Sequence, residues 1–180
     1  MLINKNKLLL LLIDIQEKLI GKIEDSKSLI ETSVNLLEIC SLLNIPVVYS
    51  EQYPKGLGNT IEVLRNKLEE KKYIKIEKTS FSCAKFKGIQ KLLTVKQVLI
   101  CGIETHICVL QTAFDLHQMG YEVFILDEGV GSRKRLFKEQ AKDRLSNNGV
   151  SLINFEMLLF ELIRDSKHKY FKTLSKYVVK

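Results

Sequence analysis

A chain of 180 residues and 20.7 kDa has the length of one domain. Its 46% hydrophobic and 27% charged residues, with nine Gly and two Pro, exclude a collagen-like, low-complexity or wholly disordered chain. The formal charge of +7 raises nucleic-acid or anionic-membrane contact, a reading that depends on where the charges sit.

Strands and helices alternate along the sequence. Leu8–Ile15 is apolar throughout but for Asp14, as expected of a strand covered on both faces. Its six-residue stretch Leu8–Ile13 is the longest apolar run, far below the roughly 20 residues a bilayer helix needs. The lysines ahead of it resemble a signal peptide, but Asp14 interrupts the run and no small-residue cleavage site follows. A buried strand, a cytoplasmic reducing compartment and free thiols are therefore expected. Apolar residues at helical spacing mark Ser28–Leu43, and a short strand follows over Pro46–Tyr49. Asn59-Thr60-Ile61-Glu62 reads as a capping box opening a helix to about Glu70. Tyr73–Ile76 is a third strand, and Ser82 is read as capping a helix to Leu93. Strands are expected over Gln97–Gly102, Glu122–Leu126 and Val150–Asn154. Helices are expected over Ile107–Met119, Ser132–Asn147 and Glu156–Arg164. Six strands interleaved with helices predict a parallel α/β sheet with right-handed crossovers.

Ligands of such sheets sit outside the carboxyl ends of the strands. That rim holds Asp14, Ser50-Glu51-Gln52, Glu77-Lys78, Ile103 to Cys108 and Asp127-Glu128. Cys108 stands six positions after the end of its strand and opens a helix, where the macrodipole and unpaired N–H groups favour a thiolate and suit an oxyanion. A carboxylate at Asp14 can serve as a base, and Lys78 can pair with it. Cys40 and Cys101 read as packing residues, and Cys83 lies near the rim without an evident acid–base partner. Four cysteines without a C-x-x-C pair support neither a disulfide scaffold nor a zinc ribbon. His106, His117 and His168 form no metal-binding spacing, and no P-loop or dinucleotide fingerprint is present, so neither metal nor cofactor is expected.

The segments LLLLLIDIQEKL around Asp14, SEQYPKGLGNT at 50–60, EKTSFSC at 77–83 and the stretch 98–133 with GIETHICVLQTA carry a resemblance. Together they resemble the isochorismatase-like cysteine hydrolase superfamily, most closely its isochorismatase-domain-containing branch of unassigned substrate. The resemblance implies a Rossmann-like three-layer α/β/α sandwich with a six-stranded parallel sheet. It also implies Cys108 as nucleophile, Asp14 as general base and Lys78 as the charged partner lowering the thiol pKa. A cis peptide at Ile103–Glu104 and an oxyanion hole from the Glu104 and Cys108 N–H groups follow from it. The implied reaction is attack on an amide-like or ester carbonyl through a Cys thioester. Gln16, Gln52, Tyr53, Phe81 and Thr105 are candidate pocket residues, and a homo-oligomer (dimer or tetramer) is implied.

Nicotinamidases of this superfamily carry a D-x-H and further histidines after the second strand. Here that place reads Ser50-Glu51-Gln52-Tyr53-Pro54, which argues against that activity. Isochorismatases proper do not use the cysteine, so Cys108 argues against theirs. A catalytically silent scaffold and a redox-sensitive thiol remain the alternatives.

Residues 164–180 hold six basic side chains against one acid, whereas the rest of the chain holds 22 against 20. The sequence thus divides into a near-neutral hydrolase domain, 1–163, and a basic C-terminal extension, 164–180, read as solvated or docked on a partner. Neither nucleic acid nor membrane is an expected partner; a small-molecule substrate is.

Overall fold

The computed structural model describes residues 1–178; Val179 and Lys180, the end of the basic extension, lie outside the described residues. The strands are β1 (Leu8–Ile13), β2 (Val47–Gln52), β3 (Ile74–Lys78), β4 (Gln97–Ile103), β5 (Glu122–Gly131) and β6 (Ser151–Ile153). The α-helices are α1 (Glu17–Ile20), α2 (Ser26–Leu43), α3 (Pro54–Leu57), α4 (Glu62–Glu70), α5 (Ile89–Leu92), α6 (Leu110–Gln118), α7 (Arg135–Ser146), α8 (Phe155–Ile163) and α9 (Phe171–Ser175). One six-stranded sheet in the order β3-β2-β1-β4-β5-β6 pairs in parallel throughout. Parallel strands need crossovers, and these place helices on both faces.

β1 shows the layering most directly. Leu8, Leu10 and Leu12 point into a core with α2, α4, α8 and α9. Leu9, Leu11 and Ile13 point into a second core with α5, α6 and α7. Every residue of β1 is buried, as a continuous apolar run requires. The fold is the expected three-layer α/β/α sandwich. Because the chain moves outward from β1 through β3 and then returns to β4, the crevice opens between the carboxyl ends of β1 and β4.

Three local expectations change, each because a side chain bonds elsewhere or a glycine intervenes. Asn59 does not cap α4: Thr60 is held by the buried Glu51 carboxylate, to which its N–H and Oγ1 donate at 2.7 and 2.9 Å, so the helix starts at Glu62 and Ile61 takes the cap position. Ser82 caps only the one-turn 3-10 helix Cys83–Lys85, because Gly88 at φ +93° breaks the chain before α5. β5 continues beyond Leu126 to Gly131 through a break in register, with Ile100 opposite Ile125 but Gly102 opposite Val130. A Cβ on Gly129 would stand 2.7 Å from the Cys101 sulfur, so the break needs glycine there. Asp127 and Glu128 consequently leave the rim: Asp127 pairs with Lys138 and Lys142, and Glu128 accepts from the Phe155 N–H.

The described part of the basic extension folds back on the body. Leu174 is buried in the first core, and the Tyr177 hydroxyl donates to Glu38 on α2 at 3.0 Å. Its lysines Lys167, Lys169, Lys172 and Lys176 face outward. Leu174→Ala is expected to cost about 2–5 kcal/mol in urea unfolding, the cost of a core truncation. Lys172→Ala should change stability by less than about 0.5 kcal/mol; equal effects would show that the segment is not part of the packed body.

Candidate active site

Asp14 is the first residue beyond β1 and adopts the left-handed conformation, φ 52°, which Asp tolerates better than most residues. Its N–H donates to Ser50 O at 3.1 Å and its carbonyl accepts from the Gln16 N–H at 2.8 Å, fixing the turn. The side chain then points into the crevice, 1% exposed for the residue as a whole. There Oδ1 accepts from the Ser50 hydroxyl at 2.6 Å and Oδ2 accepts from Lys78 Nζ at 2.6 Å.

Lys78 ends β3, two strands away, and reaches across β2. Its ammonium donates to Asp14 Oδ2, to Gln52 Oε1 at 2.8 Å and to Phe81 O at 3.1 Å. An ammonium has three N–H groups, so all of them are taken. Lys78 therefore acts on its surroundings by charge and has no donor left for a further group. Burial pulls the Lys78 pKa down, but the Asp14 carboxylate, reinforced by its hydrogen bond, outweighs it and holds the lysine above its ordinary range. The stabilisation this gives is therefore complete at neutral pH and fades only as strongly alkaline solution strips the proton.

Cys108 lies in the π-helical turn Thr105–Val109 that joins β4 to α6. It is 7% exposed, with the Asp14 carboxylate within hydrogen-bonding reach. Burial and then the Asp14 charge push its thiol pKa well up, while Lys78 opposes them. Lys78 thus pulls the thiol pKa down as expected, but burial and Asp14 together outweigh it, so the resting group is a neutral thiol beside the Asp14 carboxyl group. The peptide between Ile103 and Glu104 is cis.

The turn is held by partners that sequence reading did not identify. The buried Glu104 carboxylate accepts from the Arg133 backbone N–H at 2.9 Å, from its Nε at 3.1 Å and from its Nη2 at 2.5 Å. These bonds outweigh desolvation and keep the Glu104 pKa below its usual range. His106 Nδ1 lies 3.0 Å from Ser132 Oγ, and burial lowers the His106 pKa. Ser132 and Arg133 are so engaged with the turn that α7 starts only at Arg135. Cys83 is also corrected: its thiol donates to Ser50 Oγ at 3.5 Å, behind Asp14, and burial raises its pKa to about 11. A chain of two hydrogen bonds is invisible to spacing because its members come from three separate segments.

The candidate pocket residues divide. Gln16 does not line the mouth: fully buried, it donates to Gln52 O and Gly58 O and accepts from the Gln52 N–H, clamping the 52–58 loop. Gln52 touches Lys78 and donates to Thr79 O at 2.7 Å. Tyr53 and Phe81 are 54% and 53% exposed, and Phe81 borders a cavity beside the crevice. Thr105 is fully buried, and its Oγ1 has no hydrogen-bond partner among the described residues. Among the described residues, no group of three or more His, Cys, Asp and Glu side chains is placed to hold a metal ion.

Three outcomes follow from the buried pair. Lys78→Met alone should destabilise the fold by about 3–5 kcal/mol, because it strands the Asp14 charge. The Asp14→Asn/Lys78→Met double variant should lose less than the sum of the single variants in urea titrations; strict additivity would mean no pairing. The pH midpoint of Cys108 alkylation by iodoacetamide should move down in Asp14→Asn, which removes a like charge, and up in Lys78→Met, which removes an opposite one.

Comparison with known proteins agrees with this architecture. Residues 8–157 match the Isochorismatase domain family. "Isochorismatase family protein 1A" of Dictyostelium discoideum is 36% identical over 177 residues, covering 96% of this chain and 86% of the relative. "Isochorismatase domain-containing protein 2" of Danio rerio is 37% identical over 170 residues, covering 93% and 84%. Among solved structures, one titled "Structure of MAR1 Ribonuclease from Caenorhabditis elegans" superposes with a TM-score of 0.93 at 33% identity, covering 100% of this chain and 93% of that one. With its sheet order, its crevice and these relatives together, the chain belongs to the isochorismatase family of hydrolases.

Proposed function

We propose that the protein is a metal-independent cysteine hydrolase of small amide-like or ester substrates, with Cys108 as nucleophile, Asp14 as general base and Lys78 as electrostatic partner. The observation that carries this reading is the convergence of a thiol, a carboxylate and an ammonium from three strand ends, with Lys78 Nζ 2.6 Å from Asp14 and Asp14 beside Cys108. A neutral thiol next to an ionised carboxylate suits a base that acts as the bond forms. Asp14 takes the Cys108 proton while the sulfur attacks the substrate carbonyl carbon. The carbonyl electron pair moves to oxygen, facing the backbone N–H groups at the head of the turn, Glu104 and Cys108. Collapse of the tetrahedral adduct expels the amine or alcohol, which takes the proton back from Asp14 and leaves a thioester. Asp14 then deprotonates water, the hydroxyl adds to the thioester carbonyl, and release of the acid restores the thiol. Lys78 stays protonated throughout and holds a positive charge against Asp14 in a buried site.

The name of the Caenorhabditis elegans structure and the outward-facing lysines of the tail favour a second reading, RNA cleavage. The crevice offers it less. All three N–H groups of Lys78 are occupied, and a carboxylate sits where a phosphodiester would approach.

Incubation with a panel of primary amides and esters, followed by intact-mass analysis, tests both readings. The expected result is an acyl adduct on Cys108 that forms in the unaltered protein, forms far more slowly in Asp14→Asn and is absent from Cys108→Ala. Cleavage of a labelled RNA that survives Cys108→Ala, with no adduct from any amide or ester, would favour the ribonuclease. Neither activity, with only peroxide oxidation of Cys108, would leave a redox thiol; none of the three, a scaffold.

A further inference from the structure

A cavity of about 430 Å³ lies against the crevice, in the size range of small-molecule sites. Its wall includes Phe81, Leu110 and Phe114, an apolar surface in which Phe81 is more than half exposed. It adjoins the proposed catalytic groups through two links. The Phe81 carbonyl accepts from Lys78 Nζ, and His106, which also lines the cavity, belongs to the same turn as Cys108.

Against the Phe114 end of that wall lies the Arg144 guanidinium, its carbon 5.3 Å from the centroid of the Phe114 ring. Among the described residues no carboxylate lies within 4 Å of its nitrogens. Stacking on a ring presents the edge of the guanidinium, with its parallel N–H donors, to whatever occupies the space beside it. The other charges of the cavity cancel, since Lys85 pairs with Asp115 at 3.5 Å. Apolar walls and one unpaired planar cation suit a ligand with an apolar body and a terminal carboxylate, bound in the bidentate fashion guanidinium favours.

We propose that this cavity is the acid-binding subsite of the Cys108 hydrolase and that Arg144 selects substrates whose acyl or leaving group ends in a carboxylate. The proposal rests on Cys108 being the reactive thiol, and the two parts are separable by experiment. The probes are 4-acetamidobenzoate and its neutral counterpart acetanilide, with affinities measured by ligand-observed NMR. The carboxylate is expected to bind about tenfold more tightly than the neutral probe, in line with one charged hydrogen-bonded contact. That preference should vanish in Arg144→Gln, persist in part in Arg144→Lys, and remain whole in Lys167→Gln, which removes the same charge from the tail. Saturating 4-acetamidobenzoate should also slow labelling of Cys108 by iodoacetamide. Equal affinities, an unchanged preference in Arg144→Gln, or binding without protection of Cys108 would each overturn the proposal. Arg144-dependent binding intact, with no acyl adduct on Cys108 from any amide or ester, would overturn the thiol reading and uphold the carboxylate pocket.

Discussion

A carboxylate and an ammonium that are both removed from water must replace nearly every hydrogen bond they gave up, and the Asp14–Lys78 pair does so. Asp14 gains Ser50 and Lys78; Lys78 gains Asp14, Gln52 and the Phe81 carbonyl. Meeting that demand recruits the ends of β1, β2 and β3 and the loop after β3. Each of those segments needs its own support. Gln16 locks the 52–58 loop, and Glu51, buried one residue before Gln52, is satisfied by Thr60 and Lys75. The polar network is deep enough that its rigidity is a property of the sheet's carboxyl edge as a whole.

Cys108 enters this edge from the other half of the fold. β4 is the neighbour of β1, so the turn after β4 meets the turn after β1 at the point where the strand order reverses. The turn is held from the far side by Ser132 and Arg133, which engage His106 and Glu104. The thiol thus sits between two separately anchored halves, one supplying the buried charges and the other the backbone N–H groups.

What was legible in the sequence follows from how local each signal is. Strand alternation and helical spacing are properties of ten or fifteen neighbouring residues, and they placed the six strands, although β5 continued through a register break. Asp14, Lys78 and Cys108 stood out because each terminates or follows a strand, and the resemblance tied them together. Ser50, Cys83, Ser132 and Arg133 carry ordinary side chains in ordinary places. Their partners lie 26 to 36 residues away in sequence, and only the folded crossovers bring them near. Gln16 illustrates the opposite error: its position beside Asp14 suggested substrate contact, but an amide with three backbone partners in reach is consumed by the loop it holds.

The run of leucines in β1 has a further meaning. A strand is normally aligned with its neighbours by the difference between its two faces, since a shift of one residue turns every side chain over. β1 carries Leu on both faces, in two cores, so a shift exchanges Leu for Leu almost everywhere. Hydrophobicity alone cannot tell the right alignment from the wrong one. The features that can are polar or steric and lie at the strand's end. A Cβ at Gly102, φ +130°, would meet the Ile13 carbonyl at 2.0 Å, so only glycine allows the backbones to meet there, and Asp14 reaches Lys78 in one alignment alone. The groups proposed to carry out hydrolysis are then also the key that indexes the central strand, and chemistry and folding share the same few atoms.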